Sequence, residues 1–386
     1  MYTIIKEGIV DVKVPSETKV SKKMPVFYNP VMKLNRDLSV LLIKALAKEK
    51  KVEGLKIALP LAGTGVRALR FLSELEDSYI ENISVNDYDS CAVALINENI
   101  ELNKDELQIN AKKISIRCDD ANVFLLKESC FDYIDIDPFG SPNQFLETSI
   151  RRLSKHGVLA VTATDTSALA GTYPKSCRRK YWAEPLRNEM MHELGLRILI
   201  RKVQLVAAQF ERTLTPVFCY SKEHYIRVFF IAGKGKGKVY ETLKQHKYLL
   251  YCNKCMSRKL SLFNKQYCVC GEEMVFSGPL YAGDLWDCQL VDTMLGLASE
   301  MKESAKLLEL IKKECFQSRY DEMSRVGFYD LHKIAKKYNI VIPSFDKLFA
   351  AFSEKNLDVS RTHFSLTAVR CSLQPEELVL LMQEKK

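Results

Sequence analysis

The sequence predicts an α/β protein whose larger domain contains a doubly wound, mostly parallel sheet. From residue 55 to residue 232, short runs rich in β-branched residues alternate with segments that carry apolar residues at spacings of three and four. Two strand-like runs with no helical pattern between them end this alternation. The chain has 386 residues, more than one core usually contains, so we also expect a second, smaller domain.

The strands and helices of the first domain follow from these patterns in chain order. Five runs are predicted to be strands: 56–62, 82–86, 113–118, 131–137 and 157–164. Amphipathic helices are predicted between them: 66–75, 91–102 and 143–153. A helix at 185–200 precedes the last two strands, 203–210 and 225–232. We expect this pair to close the sheet as an antiparallel hairpin, a Rossmann-like arrangement that is more typical of class I methyltransferases than of dehydrogenases.

A glycine and lysine repeat at 233–238 separates the two domains. It carries three glycines and no apolar periodicity, so it is predicted to be a turn or linker. We therefore place a first domain at 1–240 and a smaller α+β domain at 241–386. Within the second domain, residues 250–272 are predicted to form a zinc-ribbon-like insert. The helix–helix–strand pattern at 320–386 predicts a small winged-helix-like module.

Composition and charge exclude several classes of protein. With 47% hydrophobic and 27% charged residues, the chain has the composition of a packed protein and not of a disordered or collagen-like one. Charges interrupt its apolar stretches well before the roughly 18 residues that a membrane span needs, and Lys6, Glu7 and Asp11 argue against a signal peptide. We expect a cytoplasmic protein with no membrane contact and no obligate protein partner. The net charge of +9 is compatible with a nucleic-acid partner and does not prove one.

A glycine-containing loop follows the first strand of the sheet. Gly63 and Gly65 allow a tight turn that brings backbone N–H groups and the start of the next helix close to a ligand. The spacing Gly63-x-Gly65-x-x-Ala68 also matches the dinucleotide-binding fingerprint. An enzyme that uses a nicotinamide or flavin cofactor therefore remains an alternative at this point.

Acidic residues end the next two strands. Asp87 follows the second strand, where a carboxylate can accept hydrogen bonds from both hydroxyls of an adenosine ribose. Asp120 and Ala121 follow the third strand, where they can meet an adenine edge. Neither position distinguishes between the cofactor classes.

The fourth strand ends in an Asp-Pro-aromatic turn at Asp137, Pro138 and Phe139. This turn resembles the (Asp/Asn)-Pro-Pro-(Tyr/Phe) motif of amino-group methyltransferases. The lone pair of an exocyclic base amine is delocalised into the ring, so its attack on a methyl sulfonium needs acceptors for the N–H groups and a flat side chain that fixes the ring. Asp137 and the Pro138 carbonyl are the candidate acceptors, and Phe139 is the candidate stacking surface. The alternative is an ordinary turn that caps a strand, and for Asp135 we expect a structural role.

Longer segments resemble one family. They read Phe-Tyr-Asn-Pro-Val-Met-Lys-Leu-Asn-Arg-Asp at 27–37 and Thr-Ala-Thr-Asp-Thr-Ser-Ala-Leu-Ala-Gly-Thr-Tyr-Pro at 162–174, with further similarity up to residue 197. Together with the turn at 137–140, they resemble the tRNA (guanine-26-N2)-dimethyltransferase family in its compact, archaeal-type form. The resemblance extends over essentially the whole chain.

This resemblance implies transfer of one or two methyl groups from S-adenosylmethionine to N2 of guanine 26 in tRNA. It implies that Arg36 meets the methionine carboxylate of the cofactor, that Arg67 lies beside it, and that Asp87 holds the ribose. A target guanine must leave its base stack to reach such a site.

The resemblance also implies roles for four residues around the two ring systems. Asp120 and Ala121 would meet the adenine of the cofactor. Phe27 and Phe139 would sandwich the flipped guanine, although Phe27 is also plausible as a core aromatic residue.

A basic segment lies within the family-like region. Arg178, Arg179 and Lys180 are followed by Tyr181 and Trp182, so positive charge adjoins aromatic surface. Such a segment suits contact with tRNA phosphates together with base stacking. A solvated helix face is the alternative interpretation.

Four cysteines fall within 19 residues: Cys252, Cys255, Cys268 and Cys270. They resemble a zinc ribbon, in which four thiolates complete a tetrahedral structural site. The second pair is one residue short of the usual Cys-x-x-Cys spacing, so reduced thiols without metal remain the alternative. The other cysteines are predicted to be separate buried thiols: Cys91, Cys118, Cys130, Cys177, Cys219, Cys288, Cys315 and Cys371.

Two alternative functions remain at this point. One is a methyltransferase that acts on another nucleic-acid amino group, because the Asp-Pro-Phe turn recognises an amine and not its position. The other is a tRNA-binding protein with a degenerate cofactor site. The complete set of acidic strand ends argues against the second.

Overall fold

The computed structural model describes residues 1–16, 24–50, 53–105, 110–318 and 325–384. An antiparallel hairpin, β1 (Tyr2–Glu7) and β2 (Val10–Pro15), opens the chain. The main sheet has seven strands: β3 (Leu55–Leu59), β4 (Ile80–Asn86), β5 (Ile114–Arg117), β6 (Phe131–Ile136), β7 (Leu153–Ala163), β8 (Arg212–Lys222) and β9 (Tyr225–Lys234). Their order is β5–β4–β3–β6–β7–β9–β8; β9 is antiparallel to both of its neighbours, so β8 runs in the same direction as β3 to β7.

Helices connect the strands of this sheet. They are α1 (Lys33–Lys50), α2 (Val66–Glu74), α3 (Ser90–Lys104), α4 (Ala121–Lys127), α5 (Asn143–Arg152), α6 (Thr166–Leu169), α7 (Pro174–Tyr181) and α8 (Met191–Ala208). The chain reaches the β5 edge and then crosses back to β6, on the other side of β3. Such a reversal of strand order opens a crevice at the carboxyl ends of the two central strands, where ligands of doubly wound sheets bind.

The predicted doubly wound sheet with an antiparallel end is confirmed, but one predicted strand is wrong. Residues 203–210 were assigned to a strand because they are rich in apolar residues, whereas α8 continues to Ala208. Leu199, Val203 and Ala207 are four residues apart and all buried, so they form one face of a helix. The first strand of the hairpin is β8 instead.

The prediction that residues 233–238 form a turn or linker is also wrong, because most of them belong to a strand or a helix. Strand β9 extends to Lys234, and the helix α9 (Lys236–Lys244) begins two residues later. Gly235 joins them with a φ of 128°, a backbone conformation that favours glycine. One glycine is therefore enough to make the change from strand to helix.

The rest of the chain contains two small sheets and further helices. The first sheet has β10 (His246–Tyr251) between β11 (Arg258–Ser261) and β12 (Val275–Tyr281). Two helices follow, α10 (Cys288–Gly296) and α11 (Lys302–Ser318). The second sheet pairs β15 (Ser365–Cys371) with β13 (Tyr329–Asp330) and β14 (Val359–Thr362), and its helices are α12 (Leu331–Tyr338), α13 (Phe345–Glu354) and α14 (Pro375–Glu384). The order helix, helix, strand within 325–384 agrees with the pattern predicted for 320–386. Residues 320–324 and 385–386 of that segment lie outside the described part of the chain.

Five of the eight separate cysteines differ from the prediction of isolated buried thiols. Cys288 and Cys315 form a disulfide that joins α10 to α11. Cys91, Cys118 and Cys130 are exposed. Cys91 is the second residue of α3, whereas Cys118 and Cys130 lie outside the helices and strands, just after β5 and just before β6. Among the helices that the structure describes, none is long and apolar enough to cross a membrane.

Candidate active site and metal centre

A cavity of about 350 Å³ lies at the carboxyl edge of the main sheet. It sits at the crevice between β3 and β6, and its lining includes the glycine loop after β3, the turn after β6, residues 27–29 and 32 before α1 and further residues from α1, α5 and the ends of β4 and β7. Most of the residues predicted for the cofactor and the base meet here: Phe27, Arg36, Gly63, Arg67, Asp87, Asp137, Pro138 and Phe139.

The glycine loop is shaped by close contacts. A Cβ atom on Gly63 would lie 2.9 Å from the carbonyl oxygen of Phe27, and Gly63 has a φ of 55°. Gly65, with a φ of 77°, precedes the first residue of α2. The side chain of Thr64 is buried at the cavity, and within the described chain its hydroxyl has no hydrogen-bond partner. Thr64 is not among the residues that the sequence predicts for the site.

Asp87 holds the loop in this shape. Its carboxylate accepts hydrogen bonds from the backbone N–H groups of Gly63 at 2.8 Å and Asp89 at 3.1 Å. Burial raises the pKa of Asp87, and the two N–H groups act in the opposite direction. Asp87 therefore links the ends of β3 and β4 at the cavity, where the predicted ribose would lie.

Arg36 reaches the cavity with a carboxylate already bound to it. Its guanidinium donates to both oxygens of Glu7 at 2.6 Å, and Tyr28 donates to Glu7 at 2.8 Å. Glu7 belongs to the N-terminal hairpin, which the sequence analysis did not predict. The alternating Val10, Val12 and Val14 are the signal that could have identified this hairpin.

Arg67 binds the carboxylate of the Asp-Pro-Phe turn. Its guanidinium donates to Asp137 at 2.7 Å, to Asn35 at 3.0 Å and to Ser39 at 2.8 Å. Oδ1 of Asp137 makes no hydrogen bond within the described residues, and Asp137 is one of the residues that line the cavity. Asp137 is thus fixed through one oxygen, and its other oxygen remains able to accept a proton.

The two aromatic rings at the cavity touch each other. The ring centroids of Phe27 and Phe139 are 4.3 Å apart, and the rings are inclined by 80°. A base stacked between two rings needs about 3.5 Å on each side, or about 7 Å in total. The predicted sandwich therefore requires these rings to separate before a guanine enters, and Phe139 is half exposed, which leaves it room to move.

The family-like segment after β7 clamps the same turn. Thr164 donates its N–H to the Gly140 carbonyl at 2.9 Å and accepts the Gly140 N–H at 2.6 Å. Tyr181, on α7, donates its hydroxyl hydrogen to Asp165 at 2.5 Å and accepts a hydrogen bond from the hydroxyl of Ser141 at 3.1 Å. The segment at 162–181 therefore positions the turn that carries Asp137, a contribution that the sequence analysis did not assign.

The predicted tRNA-binding cations lie on α7, beside this turn, but their surroundings differ. Arg178 forms an ion pair with Glu184, and Lys180 pairs with Asp165 at 2.9 Å. Arg179 is exposed and has no ion pair with any residue that the structure describes. Of the three side chains, Arg179 is thus the most available to a phosphate.

The residues predicted for the adenine and one of the two glycines do not line the cavity. Asp120 accepts hydrogen bonds from the N–H groups of Asn122 and Val123 and so caps α4, with Ala121 as the first helical residue. Gly65 lies behind the lining, against Ile96. The role of Asp120 and Ala121 in binding adenine remains a prediction.

The four clustered cysteines form a candidate metal centre. Their sulfur atoms all lie within 4.8 Å of one another, with 3.5 Å between Cys252 and Cys270 and 3.4 Å between Cys255 and Cys268. Zinc–sulfur bonds of about 2.3 Å in a tetrahedron place sulfur atoms roughly 3.8 Å apart. The short second pair is accommodated because Gly271 takes a φ of 82° and donates its N–H to Cys268 at 2.9 Å. The cluster therefore fits a structural zinc ion.

We expect about one zinc ion per chain by elemental analysis, and a lower melting temperature after chelation, because metal binding and folding of such sites are coupled. Cys268→Ser should remove the zinc, whereas Cys91→Ser, an exposed cysteine outside the cluster, should retain it. Metal-free protein of full thermal stability would contradict this expectation. Methyl transfer at low temperature should change little, since the cluster does not line the cavity.

Comparisons with known proteins agree with this geometry. Residues 8–383 match the model of the N2,N2-dimethylguanosine tRNA methyltransferase family. A tRNA (guanine(26)-N(2)/guanine(27)-N(2))-dimethyltransferase of Aquifex aeolicus is 41% identical, over 99% of this chain and 96% of the relative. A tRNA (guanine(26)-N(2))-dimethyltransferase of Methanosphaera stadtmanae is 35% identical, over 99% and 97% of the two chains.

A solved structure extends the similarity to the fold. The structure of Trm1 from Pyrococcus horikoshii in complex with S-adenosyl-L-methionine covers 99% of this chain and 100% of its own, with a TM-score of 0.84 and 32% identity. The family match includes all seven strands of the main sheet and the C-terminal region up to residue 383. This chain belongs to the N2,N2-dimethylguanosine tRNA methyltransferase family.

Proposed function

We propose that this chain transfers one or two methyl groups from S-adenosylmethionine to the exocyclic N2 of guanine 26 in tRNA. The observation that carries the proposal is Asp137, which lines the cavity together with Phe139 and is held by Arg67 through one carboxylate oxygen, so that the other oxygen has no hydrogen bond among the described residues. Family membership and the names of the relatives support the choice of tRNA and of this nucleotide.

The cavity suits the proposed cofactor. Arg36 brings a guanidinium whose charge Glu7 already balances, Asp87 offers acceptors to hydroxyls, and the hydroxyl of Thr64 has no hydrogen-bond partner among the described residues. When bound, S-adenosylmethionine supplies an electrophilic methyl group on a positively charged sulfur. The Trm1 structure with this cofactor supports the same assignment.

The protein residues account for the remaining chemistry. Oδ1 of Asp137 and the carbonyl of Pro138 hold the amine hydrogens and so concentrate the nitrogen lone pair toward the methyl group. As the nitrogen–carbon bond forms and the sulfur–carbon bond breaks, the proton of N2 passes to Asp137. Phe27 and Phe139, once separated, fix the plane of the base between them.

The decisive experiment incubates the protein with unmodified tRNA and labelled S-adenosylmethionine and then identifies the modified nucleoside and its position. We expect N2-methylated guanosine at position 26. Label in another base or another nucleic acid would favour the alternative methyltransferase, and binding of tRNA without any transfer would favour the degenerate site. Label at position 27 as well would place the chain with the Aquifex relative, whose name includes both positions.

The basic helix α7 gives a separate prediction about tRNA. We expect Arg179→Ala to raise the KM for tRNA and to lower the slope of log affinity against log salt by about one unit, the value for one lost phosphate contact. Arg178→Ala is the matched control on the same helix and should change the slope less, because Glu184 already balances its charge. If the slope is unchanged in Arg179→Ala, then Arg179 makes no phosphate contact and α7 is an ordinary solvated helix face.

A further inference from the structure

Arg227 is a fully buried arginine directly behind the proposed active site. It lies on β9, opposite Thr162 of β7, and none of its surface is exposed. Its guanidinium donates to both oxygens of Asp135, at 2.9 and 2.7 Å, and to the hydroxyls of Thr162 at 2.9 Å and Ser39 at 3.1 Å. The methyl-transfer chemistry above makes no use of this residue.

Asp135 links Arg227 to Asp137 through a second arginine, Arg67. Nη1 of Arg67 lies 3.4 Å from Asp135, while its Nη2 donates to Asp137 at 2.7 Å. Arg67 therefore lies between two carboxylates, one on β6 and the other two residues later in the turn that follows it. The shorter contact is the one with Asp137.

The two arginines and the two aspartates behind the site have no net charge together. Two guanidinium groups face two carboxylates, and Tyr133 adds a neutral hydrogen bond to Asp135 at 2.7 Å. Burial by itself would raise the pKa of Asp135, but Arg227 and Arg67 offset the effect, and the pKa lies below its ordinary value. Asp135 is thus an ionised group that needs at least one cation beside it at all times.

We propose that Arg227 is a positioning residue for methyl transfer, which neutralises Asp135 and thereby leaves Arg67 bound to Asp137. Without the charge of Arg227, the buried Asp135 becomes the stronger partner for Arg67, because it is farther from water than Asp137. Arg67 then turns toward Asp135, and Asp137 loses the contact that fixes its orientation toward the amine. The inference rests on the proposed function, in which Asp137 is the acceptor.

The test compares two variants with the wild type at saturating tRNA and S-adenosylmethionine. We expect Arg227→Gln to lower kcat by about 10-fold to 10²-fold, the scale of a displaced reacting group, with the cofactor Kd and the tRNA KM within about threefold of wild type. The double variant Arg227→Gln with Asp135→Asn removes the competing carboxylate along with the cation. It should therefore recover most of the lost kcat, since Arg67 again has only Asp137 as a charged partner.

A control separates positioning from general destabilisation. Arg258 is equally buried, against Tyr329 in the C-terminal region, so Arg258→Gln should lower the melting temperature and leave kcat unchanged. Wild-type kcat in folded Arg227→Gln would overturn the proposal. So would a folded double variant that is as slow as the single one. If Arg227→Gln does not fold, the double variant decides by itself, because its buried group is neutral.

Failure of the proposed function would be visible separately. Wild-type protein that transfers no methyl group to tRNA refutes the function before any variant is compared. Transfer to a different nucleotide changes the assignment of the substrate, whereas the ratio of kcat values still tests Arg227.

Discussion

We expect Asp137→Asn to lower the rate of methyl transfer by about 10²-fold or more, the usual scale for the loss of an acid–base or electrostatic contribution. The change preserves the size of the side chain but removes the negative charge that accepts the proton of N2. Binding of S-adenosylmethionine and tRNA should persist, because Arg36, Asp87 and the glycine loop are unaltered. Both methylation steps should slow, since each passes a proton to the same acceptor.

The measurement is a single-turnover rate with cofactor and tRNA saturating, together with calorimetry for the cofactor. Asp132→Asn is a matched control, because Asp132 lies near the start of β6, at the end of the strand away from Asp137, and accepts hydrogen bonds from Lys56 and Ser154. We expect the control to transfer methyl groups at the wild-type rate. Near-normal turnover in Asp137→Asn would leave the Pro138 carbonyl and aromatic stacking to account for catalysis.

The main sheet could be predicted because its signals are local. Each parallel strand is a short apolar run, and helices with their own apolar periodicity separate the runs. The error at 203–210 arose where both signals coincide, since Val203 and Val206 favour a strand by composition and a helix by spacing. Helix α8 has 18 residues and is buried around most of its circumference, so apolar residues occupy nearly all of its faces. Its sequence therefore lacks the polar face that would distinguish a helix from a buried strand.

The backbone of the site could be predicted, but the side chains that organise it could not. Gly63, Asp87 and Asp137 follow strands, so their meeting at one edge follows from the topology. Glu7 and Arg227 reach the same site from a hairpin at the start of the chain and from the antiparallel strand at its other end. Contacts between residues so distant in sequence depend on the finished fold and leave no local pattern.

The C-terminal region is joined to the main sheet by a buried charge cluster that the sequence did not suggest. Arg370 on β15 donates to Glu193 on α8 at 2.9 Å and to Glu314 on α11 at 2.6 Å, and all three side chains are fully buried. Arg197 pairs with Glu193 from the same helix at 2.8 Å. Because α8 also packs against the main sheet, this cluster couples the two regions of the chain.

We expect Arg370→Met to lower the free energy of unfolding by about 3–5 kcal/mol at neutral pH, because it leaves the buried carboxylate of Glu314 without its arginine, whereas Glu193 keeps Arg197. Arg361→Met is the matched control. Arg361 lies on the neighbouring strand β14, is only partly buried and bonds to the Leu366 carbonyl, so its loss should cost about 1 kcal/mol or less. Urea unfolding can be followed through Trp286, which lies 5.8 Å from His363 in this region. The chain has two tryptophans, Trp182 and Trp286, so making both variants in a Trp182→Phe background ensures that the fluorescence reports on Trp286 alone.

The pH dependence of this difference tests its electrostatic origin. Burial acts to raise the pKa of Glu314, but Arg370 and His363 outweigh it and lower the pKa to about 2, against an ordinary value of 4.5. A folded-state pKa below the unfolded one stabilises the protein above about pH 4.5 and loses this contribution as the pH falls toward 2. The deficit of Arg370→Met should therefore be largest at neutral pH and shrink at pH values between these limits, where Glu314 takes up a proton in the variant. If the difference in the free energy of unfolding between the wild type and Arg370→Met is the same at neutral pH and between pH 2 and 4.5, then lost packing, and not the unpaired carboxylate, destabilises the variant.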